Sequence, residues 1–210
     1  MVKFREYITE EKFTLDSEIE AISRDCKPFL KSLKGSTHLL WRGSNKQSKP
    51  FEKLKPRSDR RPVDMDPLIH EFLDDEFNRK FGWKARSEGL FCCGGEAATY
   101  GYGKATIVFP IGKFKYVWSP SIEDLYSTLS SVNIMVARRD ELSTKDKNEI
   151  IKYVKTYTDK DIKKYLSKGT WFEIAIKCDS YWSLRSDDYG TPNAGAVRID
   201  VFEGDKWITV

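Results

Sequence analysis

The sequence predicts an α/β (α+β) domain, a split mixed β-sheet core with flanking helices. Three observations carry that prediction. Apolar residues recur at helical spacing in several stretches, short β-rich runs lie between them, and the chain from Trp171 to Val210 reads as strands. At 210 residues one hydrophobic core suffices, so residues 1–210 read as a single domain. With 12 Phe, 10 Tyr and 6 Trp the apolar surface is large enough to offset the entropy of ordering the chain.

Residues 1–36 read as an N-terminal helical region: Leu15, Ile19, Ile22 and Cys26 share a helical stripe after Thr14, and Pro28 opens a second short helix before Gly35. His38 to Trp41 is a strand ending on Arg42-Gly43-Ser44. Residues 45–61 hold Lys46, Lys49, Lys53, Lys55, Arg57, Arg60 and Arg61 against Glu52 and Asp59, the pattern of a mobile basic loop. Asp66-Pro67 then supplies a cap and a first-turn proline for a helix whose Ile69, Leu73, Phe77 and Phe81 repeat every fourth residue up to Gly82. Trp83 to Phe91 reads as strand-like, and Glu96 to Tyr100 as a short helix after Gly94-Gly95.

Ala105–Phe109 and Phe114–Trp118 flank Pro110-Ile111-Gly112-Lys113 in the pattern of a hairpin. Ser119-Pro120 opens a helix through Ile122, Leu125, Tyr126 and Leu129. Ser143 precedes another with Ile150, Ile151, Val154 and Tyr157, and Asp159 caps a last one through Ile162, Tyr165 and Leu166. The C-terminal strands are Trp171–Cys178, Tyr181–Leu184, Val197–Phe202 and Trp207–Val210, the last two joined by a turn at Glu203-Gly204-Asp205.

The net charge is +4, with Lys+Arg 36 and Asp+Glu 32, so attraction to phosphate has to be local rather than global. Cys26, Cys92, Cys93 and Cys178 lack the C-x-x-C spacings of structural zinc and read as free thiols of a reducing, cytoplasmic setting. The N-terminus has no apolar signal-peptide core, and no stretch is long and apolar enough for a membrane span. Phosphate-loop, nucleophile-elbow and H-E-x-x-H motifs are absent, which disfavours metal and serine hydrolysis. The polar residues set at strand ends or among aromatics are Arg42, Ser87 and Glu173.

In order and surroundings these three resemble the arginine-serine-glutamate type of the ADP-ribosyltransferase family. Leu39-Leu40-Trp41-Arg42-Gly43-Ser44 looks like its first core strand. Ser87-Glu88-Gly89-Leu90-Phe91 with Ala97-Ala98-Thr99-Tyr100-Gly101 is similar to its second element. Phe172-Glu173-Ile174-Ala175-Ile176-Lys177 with Tyr181-Trp182-Ser183-Leu184 looks like the glutamate strand and its partner. The resemblance, covering 38–184, implies a phage-encoded or intracellular transferase that uses NAD as substrate and needs no metal. It implies Glu173 as catalytic carboxylate, Arg42 and Gly43 at the NAD, Ser87 as positioning residue, and Phe91 or Tyr100 stacked on nicotinamide. The acceptor is open between protein, nucleic acid and water. Position 171 is Trp where relatives that modify arginine or asparagine carry Glu or Gln, so protein arginine is disfavoured.

The chemistry suits these residue types. Cleavage of the nicotinamide bond builds positive charge on the ribose, which a carboxylate stabilises more than it does the ground state. A guanidinium offers a planar fork to phosphate or ribose oxygens. On strand alternation Trp171, Glu173 and Ala175 share one face, and Phe172, Ile174 and Ile176 the other. Read as structure alone, Arg42 is a surface or salt-bridged arginine, Ser87 an ordinary polar residue, Phe91 and Tyr100 core aromatics, and His38 and His70 structural or exposed. A rival acid is Glu203. The alternative function is a non-catalytic nucleic-acid-binding module using Lys46 to Arg61, with Lys84 and Arg86 close in sequence.

Overall fold

The chain is organised on a sheet that comes close to being two. The computed structural model describes residues 17–33, 39–58, 60–61, 65–134, 141–168 and 171–185, and the backbone alone of 200–203 and 206–209. Its strands are β1 (Trp41–Ser44), β2 (Phe51–Leu54), β3 (Leu90–Cys93), β4 (Lys104–Pro110), β5 (Phe114–Trp118), β6 (Glu173–Cys178) and β7 (Tyr181–Arg185), with a separate pair β8 (Asp200–Glu203) and β9 (Lys206–Thr209). The seven strands lie in the order β2-β7-β4-β1-β3-β6-β5. Ladders of four or five residue pairs hold β2-β7-β4-β1 together, and likewise β3-β6-β5. Between β1 and β3 there is one pair, Trp41 with Cys93. That seam is where the sheet divides.

Every ladder among the described strands is antiparallel, where a mixed sheet is expected from sequence. The expected β4–β5 hairpin is also replaced: β4 pairs with β1 and β7, and β5 with β6. The reason lies in the connection. Ile111 N–H donates to the Ser180 carbonyl at 3.0 Å and Gly112 N–H to that of Asp25 at 2.9 Å, so the link is held by other segments and steps across the seam. Residues 179–180 carry β6 back to β7 alongside it.

Helices cover both faces. Residues 17–25 (α1), α2 (Lys27–Leu33) and α7 (Ile162–Leu166) bury Ile22, Phe29, Leu33, Tyr165 and Leu166, with Cys26 between the first two, against Leu90, Cys92, Ile174 and Ile176. Helices α3 (Pro67–Phe81), α5 (Leu125–Ser131) and α6 (Thr144–Thr156) bury Ile69, Leu73, Phe77, Leu125, Leu129, Ile150 and Val154 against Val117 and Ala175. Each such side chain contributes about 1.5–3 kcal/mol by leaving water. The split of Ile174 and Ile176 from Ala175 sets the two sides of β6, and Glu173 shares the side of Ala175.

Several expected caps are present. Asp66 accepts from Leu68 N–H, Gly82 ends α3 in the left-handed conformation with φ 75°, and Ser143 caps α6. Other boundaries moved. Helix α5 starts after Asp124, whose carboxylate accepts from Ser127 N–H, and Ser119-Pro120 stays outside it. Helix α7 follows Asp161, with no side-chain cap, so Asp159 is not its start. The strand-like Trp83–Phe91 splits into a helical turn, α4 (Ala85–Glu88), and β3. Residues 45–61 are no plain loop, since β2 lies within them and pairs with β7. Residues 1–16, 34–38 (with His38) and the Gly204-Asp205 turn lie outside the described residues.

Candidate functional site

Strands β1, β3 and β6 are neighbours, and the site is built where the first two part. Arg42 is half-buried, and its Nη1 donates to the Phe91 carbonyl at 2.7 Å, a bond that crosses the seam beside the single Trp41–Cys93 pair. The Arg42 carbonyl accepts from Thr106 Oγ1 at 3.0 Å. Gly43 lies under the 3₁₀ turn of Glu96–Thr99 and the residues after it. A Cβ here would stand 2.6 Å from Tyr102 Cβ and 2.7 Å from the Thr99 carbonyl, so no side chain fits. Tyr100 and Tyr102 project into solvent at this rim, 71% and 73% exposed. Tyr100 is thus free to stack on a ligand and is not a core aromatic.

Phe91 is the hub. The Arg60 guanidinium lies 4.4 Å and that of Arg86 4.5 Å from the centre of its ring. Arg86 Nη1 donates to Glu173 Oε1 at 3.0 Å, with the two side chains 13% and 22% exposed. The register pairs Cys93 with Glu173 and Phe91 with Ala175, which sets Phe91 and Glu173 on one face. Burial raises the Glu173 carboxyl above the ordinary range, opposed by Arg86 and reinforced by Asp124. Burial also lowers Arg60 to about 10, helped by the positive charges of Arg86 and Arg42. Arg60 Nη1 and Arg86 Nε are buried without a hydrogen-bond partner.

Ser87 is engaged elsewhere. Its Oγ donates to Asp74 Oδ2, its N–H reaches Asp74 Oδ1 at 3.2 Å, and Arg86 N–H reaches the same oxygen at 2.7 Å. His70 Nε2 lies 3.0 Å from Ser87 Oγ and 3.5 Å from Asp74 Oδ2. In a nucleophilic triad the carboxylate would hold the far ring nitrogen and leave the hydroxyl to the imidazole. Here carboxylate and imidazole meet at the hydroxyl through one nitrogen, so the cluster braces α4 and does not activate Ser87. His70 is lowered chiefly by burial, with Asp74 opposing. The expected serine therefore supports the neighbour that reaches Glu173, namely Arg86.

Arg60, Arg86, Asp74 and His70 escape the sequence reading as parts of one site. Arg60 is one of seven cations in its segment, and nothing in their spacing tells which turns inward. In sequence Arg86 stands out only as a cation beside Lys84, close to the basic segment, and nothing there ties it to Glu173. Beyond Glu173, an open groove of about 530 Å³ is lined by Ser121, Glu123, Asp124, Thr128, Trp171 and Phe172, with Trp171 61% exposed. The Glu173 N–H donates to the Glu123 carbonyl at 2.8 Å and so fixes the start of β6 at this groove. Glu203 pairs with Lys206 in the β8–β9 ladder.

No helix among the described residues is long and apolar enough to cross a membrane. No family model, no curated protein and no solved structure matches the chain, so the site is read from its own geometry.

Proposed function

We propose that this chain binds NAD as substrate at the β1–β3 seam and transfers its ADP-ribose to a macromolecular acceptor, or to water. One observation carries the reading: Arg42 bonds the Phe91 backbone carbonyl across the seam where the sheet divides, and on the neighbouring strand Glu173, on the face of the Phe91 side chain, is held by a single arginine. In the reaction the ribose C1′–nitrogen bond breaks, its electron pair leaves with nicotinamide and neutralises the ring, and the acceptor oxygen or nitrogen bonds C1′ and loses a proton. Glu173 stabilises the ribose cation between those events. Arg42 and the rim at Gly43 and Tyr100 orient the dinucleotide, Phe91 supplies an apolar wall, and Ser87 sets α4. No metal is required.

The test is nicotinamide release and thermal melting with NAD. A ligand held only by the folded state adds about 2.7 kcal/mol at a hundredfold excess over Kd. Glu173→Gln should lower turnover about 10²-fold or more without weakening NAD, whereas Arg42→Ala should weaken NAD itself. Neither release nor a melting shift at millimolar NAD would sink the reading.

A second reading has its own observation. Lys46, Lys49, Lys53, Lys55, Arg57 and Arg61 are all exposed along β2 and its flanks, at the edge of the sheet. They support docking of nucleic acid, as an acceptor or as the whole function. Fluorescence anisotropy with single-stranded DNA and RNA should then give affinities that fall steeply with salt. Affinity absent at low ionic strength removes this reading.

A further inference from the structure

Guanidinium groups of like charge do not share one aromatic ring without cost. Arg60 and Arg86 both do so at Phe91, so their centres are separated by less than the sum of two ring contacts. Arg42 binds the carbonyl of the same residue. One carboxylate, Glu173, is bonded to this trio, and it takes one Nη of Arg86. Arg60 Nη1 and Arg86 Nε are left buried without an acceptor. A buried donor with no partner carries a desolvation cost that an anion would remove. The arrangement sets two guanidinium groups at one ring with a single carboxylate bonded to them, and leaves donors of both without an acceptor.

We infer that Arg60 and Arg86, flanking Phe91, form a receptor for the diphosphate of a small nucleotide. Guanidinium forks match phosphate oxygens, and two of them suit two linked phosphates better than one carboxylate. Arg60 and Arg86 are partly buried, Arg86 only 13% exposed, which favours a small ligand over a polymer backbone and sets Arg60 apart from the six exposed cations of its own segment. The lowered basicity of Arg60 agrees, since burial and the neighbouring arginines weigh on its charge when no anion is present. Glu173 and the diphosphate compete for Arg86, so ligand binding frees the carboxylate. This deepens the reading above by naming the group that is held, and it does not need bond cleavage.

The experiment is titration calorimetry with inorganic pyrophosphate and with ADP-ribose, on variants whose folding is checked by melting. Arg60→Gln and Arg86→Gln should each weaken both ligands about tenfold or more, while Arg60→Lys keeps the charge, loses the fork and falls between. Lys115→Gln, on an exposed strand position, should bind as wild type. Glu173→Gln should bind pyrophosphate more tightly, because it removes the competitor for Arg86. This arm decides if an arginine variant fails to fold. Absence of pyrophosphate and ADP-ribose binding at low ionic strength, full affinity in Arg60→Gln, or no tightening in Glu173→Gln overturns the receptor. Nicotinamide release by wild type is scored separately: binding without release keeps the receptor and drops the transfer reaction, and release indifferent to Arg60 does the reverse.

Discussion

Glu173 sits under opposing pressures that can be read out by pH. Burial favours its neutral form and Arg86 its ionised form, and burial prevails, so the folded-state value lies above the usual glutamate value of 4.5. A raised carboxyl stabilises the fold at pH below the unfolded value, and that contribution is lost as pH rises through the folded value. Glu173→Gln should therefore melt no lower than wild type at neutral pH. In the proposed reaction the ionised form would be the active one, so the acid limb of kcat against pH should fall above 4.5 in wild type and disappear in what activity Glu173→Gln retains. An acid limb at or below the ordinary value would remove Glu173 from the chemistry. The cysteines are quieter. All four are unbridged, and burial pushes the thiols of Cys26 and Cys178 up to about 12.

Among the elements, α4 shows how a short turn is held by a longer helix. Four residues cannot sustain a helix alone, and Ala85–Glu88 forms because Asp74 of α3, 1% exposed, accepts from Arg86 N–H, Ser87 N–H and Ser87 Oγ. Lys177 of β6 adds a 2.6 Å pair with Glu88. Asp74→Ala leaves these donors without an acceptor and should cost about 1–3 kcal/mol in urea unfolding. It should also loosen Arg86, so any turnover should fall beyond what the stability change explains, with Asp74→Asn partly restoring both. Unchanged stability in Asp74→Ala would refute this account of α4. The sequence hides it because the cap lies on another helix, and a strand-like alternation is all that Trp83 to Phe91 displays.

At the scale of the whole molecule the seam is the consequential feature. Among the described residues one ladder pair, the Arg42–Phe91 bond and a Cys93 Sγ–Trp41 carbonyl contact at 3.4 Å join β1 to β3, whereas each half is held by full ladders. Amides of β1 and β3 at the seam should exchange with deuterium sooner than those of the β4–β7 ladder, and Arg42→Ala should widen that difference and lower the melting temperature. Uniform exchange across the sheet would mean that the halves open together. Arg42 thus ties the halves together as well as being the proposed anchor for NAD, and its variant has to be assayed well below its melting point.

Part of the chain declares itself through signals that act within a few residues. The α3 repeat with its Asp66 cap and Gly82 stop, the Ser143 cap, and the alternation that sets Glu173 apart from Ile174 on β6 follow from periodicity and backbone sterics alone. The α+β character follows from the same signals. Strand partners do not, because Pro110 to Lys113 has the composition of a hairpin turn and is drawn across the seam by bonds to Ser180 and Asp25, which no local pattern encodes. Likewise, seven cations in one segment look alike in sequence. Only the close approach of that segment to β3 and α4 brings Arg60 onto Phe91, because burial and charge depend on what the rest of the chain sets beside a residue.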